Sequence, residues 1–158
     1  MDKLKNLIEM KTELVQKYRN ILRKFEREIF FQNVASCCHG VSLPQCHALL
    51  EVEGQENISL TELSDKLTLE KSTVSRTVDG LVKKGYLNRK IPEENRRTVK
   101  LQLTQAGEKT CENINWNNNH FISEVLNTLD ENDQASFVHL FEKITHKMTQ
   151  IRQSDKCC

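Results

Sequence analysis

The sequence predicts a mainly α fold carrying one small β-hairpin, on three observations. Apolar residues recur at steps of three and four over most of the chain, the signature of helices with one buried face. Capping boxes mark two helix starts. A single stretch, residues 86–103, changes to strand patterning on either side of a polar turn. With 2 Pro and 5 Gly in 158 residues, punctuation is sparse and long elements are expected.

The elements follow in order. Leu4, Leu7, Ile8, Leu14, Val15, Tyr18, Ile21, Leu22, Phe25 and Ile29 make one face of a long first helix ending near Phe31. Asn33 to Gly40 is poorly patterned and reads as a connection. Ser42 followed by Gln45, with Pro44 in the first turn, opens a second helix that runs to about Glu53 and stops at Gly54. Ser59 with Glu62 opens a short third helix through Leu67. After a break at Thr68-Leu69, a fourth runs to Lys84 with Val74, Val78, Leu81 and Val82 inward, and Gly85 ends it. Residues 86–91 and 98–103 form the hairpin. Thr104 caps a fifth helix, with Cys111, Ile114, Phe121, Val125 and Leu129 on one stripe. Asp130 begins a sixth, with Phe137, Leu140, Phe141, Ile144, Met148 and Ile151 at helical spacing.

Two short helices in tandem followed at once by a hairpin describe a winged helix-turn-helix. The whole chain then reads as a mainly α protein with a small β-hairpin wing. Residues 34–103 form the winged lobe, with a sensing segment at its start; residues 1–33 and 104–158 form a helical dimerisation region. Net charge is only +1, yet the thirty residues from Lys71 to Lys100 hold nine basic and three acidic side chains. Positive charge is thus concentrated where a phosphate backbone would be met. A helix entering the major groove reads base edges mainly from its N-terminal part. Lys71, Ser72, Thr73, Ser75 and Arg76 occupy that part here, away from the Val74/Val78 face. Arg96 and Arg97 at the hairpin tip suit the negative potential of the minor groove. The competing reading, a basic hairpin that is merely solvated, does not account for the order of elements.

Leu60-Thr61-Glu62-Leu63-Ser64, the run from Ser72 to Leu81, Lys84-Gly85-Tyr86-Leu87, and Asn95-Arg96-Arg97 through Leu103-Thr104-Gln105-Ala106-Gly107 resemble the MarR family of regulators. The resemblance is specific over residues 58–108 and looser elsewhere. It implies a transcriptional regulator, most often a repressor. It also implies an obligate homodimer, with the first helix and the last two interlocked and two winged lobes on a palindromic duplex DNA operator, and an effector that alters DNA affinity. Family wings usually carry an Asp where Asn95 stands; a neutral amide orients Arg97 more weakly than a carboxylate would.

Six cysteines raise the question of input. Cys37, Cys38 and Cys46 fall within ten residues, with His47 beside the last. Thiolates with a borderline imidazole suit a thiophilic metal or metalloid ion, and a helix N-terminus favours a thiolate at Cys46. The spacing is not that of a common zinc site. Thiol oxidation and inert packing are alternatives, as is a small aromatic effector with the cysteines purely structural. Cys111, His120, Cys157 and Cys158 are weaker candidates for the same role. No obligatory cofactor is expected.

Other classes are disfavoured. There is no His-Glu-x-x-His run, glycine-rich phosphate loop or nucleophile elbow, and Cys46 and His47, adjacent on a helix, diverge by about 100°. A structural or protein-interaction module would leave the basic wing unexplained, and a non-catalytic metal-binding protein stands as the alternative of a different class. No apolar run approaches the roughly 20 residues of a membrane span, and the N-terminus leads into an amphipathic stretch. A cytoplasmic protein with reduced thiols is therefore expected.

Overall fold

A computed structural model describes residues 2–36, 40–55, 57–91 and 99–154; within the first helix the side chains of residues 2–10 and 33–36 are not described. The chain divides into two compact units, Met1–Asn115 and Trp116–Cys158. Six helices and three strands are described: α1 (Asp2–Ser36), α2 (Leu43–Glu53), β1 (Ile58–Ser59), α3 (Leu60–Leu67), α4 (Lys71–Lys83), β2 (Leu87–Lys90), β3 (Lys100–Leu103), α5 (Gln105–Leu126) and α6 (Glu131–Ser154).

Local chemistry sets most of these boundaries where the sequence places them. Ser42 N–H donates to Gln45 Oε1 at 3.1 Å, and Gly54 ends α2. At α3 the box is reciprocal: Ser59 N–H donates to Glu62 Oε2 at 2.7 Å, and Glu62 N–H to Ser59 Oγ at 3.2 Å. Thr68, with φ of 55°, turns the chain out of α3. The buried Ser64 hydroxyl holds that turn by donating to Leu69 O at 2.6 Å. Gly85, with φ of +76°, takes the left-handed position that ends α4 without a Cβ clash.

Three features differ from expectation. α1 runs to Ser36 rather than Phe31, because Gln32 to Ser36 contain no helix breaker. The hairpin strands are shorter than 86–91 and 98–103: Tyr86 N–H bonds back to Leu81 O, so that residue still closes the end of α4. The sheet also has a third strand. β1 pairs antiparallel with β3 through Ile58 opposite Leu101, giving the order β1-β3-β2. Two residues are too few to show an alternating pattern.

The core of the first unit gathers Ala48, Leu49 and Val52 of α2, Leu63 of α3, Val74, Val78 and Leu81 of α4, Leu87 and Leu101 of the sheet, and Cys111 and Ile114 of α5. The start of α5 is pinned to the sheet. Thr104 Oγ1 donates to Gly85 O at 2.6 Å and accepts Gly107 N–H at 3.0 Å, and Thr104 N–H donates to Tyr86 O. A Cβ on Gly107 would stand 2.2 Å from that same Tyr86 oxygen, so only glycine fits.

Outside this core the apolar stripes lie open. On α1, Leu14, Val15, Ile21 and Phe25 are exposed. Val125 and Leu129, on the α5 stripe, are also exposed. The α6 stripe of Phe137, Leu140, Phe141, Ile144, Met148 and Ile151 is more than a third exposed throughout, and no described α6 residue is buried. Among the described residues no helix is long and apolar enough to cross a membrane.

Candidate nucleic-acid interface

α2, α3 and α4 pack on one another, and α4 also packs on β2. The inward anchors Val74, Val78 and Leu81 fix which face of α4 looks out. Lys71, Ser72, Thr73 and Arg76 are exposed on that outer face and Ser75 is half-buried. The Arg76 guanidinium and the Lys71 ammonium make no ion pair among the described residues. Five polar side chains therefore sit in the first turn and a half of a well-anchored helix, two of them cations with no ion pair among the described residues.

The remaining cations divide by partner. Arg89 on β2 donates to Asp79 Oδ1 on α4 at 2.6 Å, tying the hairpin to the helix. Lys100 on β3 reaches Glu62 on α3 at 3.2 Å. The Ser59 hydroxyl, then the Ser59 backbone N–H and the Lys100 ammonium, lower the Glu62 carboxyl to about 2. Lys84 is engaged at the start of α2. Lys83 and Lys90 are exposed and make no ion pair among the described residues. Arg96 and Arg97 lie outside the described residues.

The thiol group is only partly visible, because Cys37, Cys38, Cys157 and Cys158 lie outside the described residues. Cys46 sits near the start of α2, as expected, but its side chain is turned into the core at 2% exposure, whereas His47 is exposed. These two side chains are not brought together. Cys111 is fully buried, and burial, helped by the nearby Glu53 and Glu108 carboxylates, raises its thiol to about 12. His120 is exposed, 3.8 Å from Glu124 and with its ring centroid 5.5 Å from that of Trp116. Among the described residues no three His, Cys, Asp or Glu side chains form a metal-holding group.

The anchored outward helix, the two-helix unit before it and the paired sheet behind it define a winged helix-turn-helix. Residues 41–99 match the model of the MarR family. The HTH-type transcriptional regulator PapX of Escherichia coli is 31% identical over 104 residues, which cover 66% of this chain and 63% of PapX. The uncharacterized HTH-type transcriptional regulator YpoP of Bacillus subtilis is 22% identical over 140 residues, 89% of this chain and 99% of YpoP. The fold is shared with Streptococcus pneumoniae FabT, solved in complex with DNA (TM-score 0.79, 17% identity, covering 86% of this chain and 98% of FabT). It is shared too with the apo form of wild-type MarR from Escherichia coli (TM-score 0.67, 22% identity, covering 80% and 94%).

Proposed function

We propose that this chain is a cytoplasmic, homodimeric transcriptional regulator of the repressor type that binds duplex DNA through the exposed first turns of α4. The observation that carries the reading is the anchored helix with Lys71 and Arg76 on its outer face, making no ion pair among the described residues, in a segment that matches the MarR family model. Ser72, Thr73 and Ser75 allow close approach and hydrogen bonding to phosphate or base edges. Arg76 takes a guanine bidentately or clamps a phosphate. Arg96 and Arg97 extend the contact from the wing into the minor groove.

The open apolar stripes on α1 and α6 support the dimer. Each is a continuous helix face of large side chains that a lone chain leaves in water, the mark of an association surface. The FabT structure, a complex with DNA, accords with the DNA-binding part of the reading.

For the input, the proposed reading is a thiophilic metal, a metalloid or an oxidant acting at the Cys37, Cys38, Cys46 and His47 segment. Cys46 itself lies in the core, and Cys37 and Cys38 lie outside the described residues. A second reading, a small-molecule effector with structural cysteines, is favoured by the burial of both Cys46 and Cys111. The PcaV regulator of Streptomyces coelicolor, which shares the fold, was solved with its natural ligand.

The test is direct. Purified protein binds mixed-sequence duplex DNA at low salt, and affinity falls linearly on a logarithmic salt scale. Absence of binding would remove the regulator reading. Titrating the bound complex with cadmium, arsenite or peroxide then separates the inputs: release reversed by a chelator marks the ion, release reversed by a thiol reductant marks oxidation, and no response to any of them favours the small-molecule effector.

A further inference from the structure

Lys84 differs from the other cations of the basic stretch. It is the C-cap residue of α4, where a cation favours the negative end of the helix dipole. Its ammonium extends to the start of α2, donating to Gln45 Oε1 at 2.8 Å and to the Gly40 carbonyl oxygen. That same Gln45 oxygen accepts the Ser42 N–H of the α2 cap at 3.1 Å. Gly80, one turn before Lys84, leaves the room that the Gln45 side chain fills. A Cβ there would stand 2.6 Å from Gln45 Nε2. The N-terminal end of a helix is an unfavourable place for a cation, so these two oxygens are what hold the ammonium there.

We propose that Lys84 is a positioning residue for the recognition helix: through Gln45 and Gly40 it locks the C-terminal end of α4 to the cap of α2, and it makes no phosphate contact. The lock sets the angle at which α4 leaves the lobe, and so the presentation of Lys71 and Arg76. Its functional meaning rests on the DNA-binding reading; the lock itself does not.

The first arm of the test uses the full chain without DNA. Lys84→Met keeps the aliphatic stem and removes the ammonium. Amide exchange in the first turns of α2, including Cys46 N–H, which bonds Ser42 O at 2.8 Å, speeds up several-fold. Gln45→Leu speeds the same amides, and the double variant adds little to either. Unchanged exchange in both single variants overturns the lock. The second arm follows binding to a mixed-sequence duplex against salt, where one phosphate contact is worth about 0.9 in the logarithmic slope. Lys84→Met weakens binding a few-fold at every salt concentration and leaves the slope at the wild-type value, while Lys71→Met lowers it. A slope lowered in Lys84→Met by about 0.9 for each lobe engaged overturns the proposal. If the wild-type chain binds no duplex, the DNA-binding reading fails and the exchange arm alone decides the lock.

Discussion

Nine cations lie between Lys71 and Lys100, and among those the structure describes the fold gives three a partner. Arg89 joins Asp79, Lys100 joins Glu62 and Lys84 joins Gln45, pairs separated by 10, 38 and 39 positions in sequence. A count along the chain registers the charge and misses the partners, which is why these three were indistinguishable from Arg76 until the fold was known. Arg76→Ala is expected to weaken duplex binding by about 1–3 kcal/mol, with relaxed specificity if it reads a base, or a shallower salt slope if it clamps phosphate. Unchanged affinity by fluorescence anisotropy would count against this docking. The cysteines repeat the lesson. Neighbours in sequence, Cys46 and His47 face the core and the solvent respectively. Cys111 follows from burial, which pushes its thiol up to about 12 from the ordinary 9.0. The folded state thus holds its proton more tightly, so the contribution is full below about pH 9 and is lost as pH rises toward 12. At neutral pH the folded chain should leave Cys46 and Cys111 unalkylated by iodoacetamide while unfolded chain reacts at both, as peptide mass spectrometry would show.

Elements were legible wherever a local signal defines them. Ser42, Ser59, Thr104 and Asp130 all mark helix starts, and Asp130 Oδ1 accepts Asp133 N–H at 2.9 Å. β1 was not legible, because its pairing is set by Leu101 and Lys100 across the sheet rather than by anything in Ile58-Ser59. Two predictions belong here. Gly107→Ala should gain helix propensity of about 1 kcal/mol, yet its Cβ would meet the Tyr86 carbonyl oxygen at 2.2 Å. Backbone cannot yield as a side-chain end does, so a net loss of about 2–3 kcal/mol is expected in urea unfolding; a neutral result would mean that the α5–hairpin joint is loose. Glu62 is the acid-sensitive element. Its carboxyl is lowered to about 2, so its contribution to stability is present above the ordinary carboxylate range near 4.5 and disappears as pH falls toward 2. Wild type should lose urea resistance across that window more steeply than Glu62→Gln, and parallel curves would contradict the box.

At the scale of the molecule, the stripes that the periodicity marked as inward on α1 and α6 are open. Periodicity reports that a face is to be buried and is silent on whether the cover comes from the same chain. Cys111 and Ile114 at the start of α5 find cover within the winged lobe, whereas Phe137, Leu140 and Ile144 find none among the described residues. The proposed homodimer would cover these faces, and it carries a quantitative consequence. Two lobes on one duplex engage half-sites about one helical turn apart, so the second contact is intramolecular and raises affinity far beyond that of one lobe. The protein should sediment at twice the 18.4 kDa of the chain. Leu140→Glu, placing a charge in the middle of the α6 stripe, should shift it toward the monomer while the helical circular dichroism of the winged lobe persists. That variant keeps α4 intact, so it should still bind duplex, with the weak affinity and the halved salt slope of a single lobe. A variant that stays dimeric with full affinity would show that the α6 stripe is not the association surface.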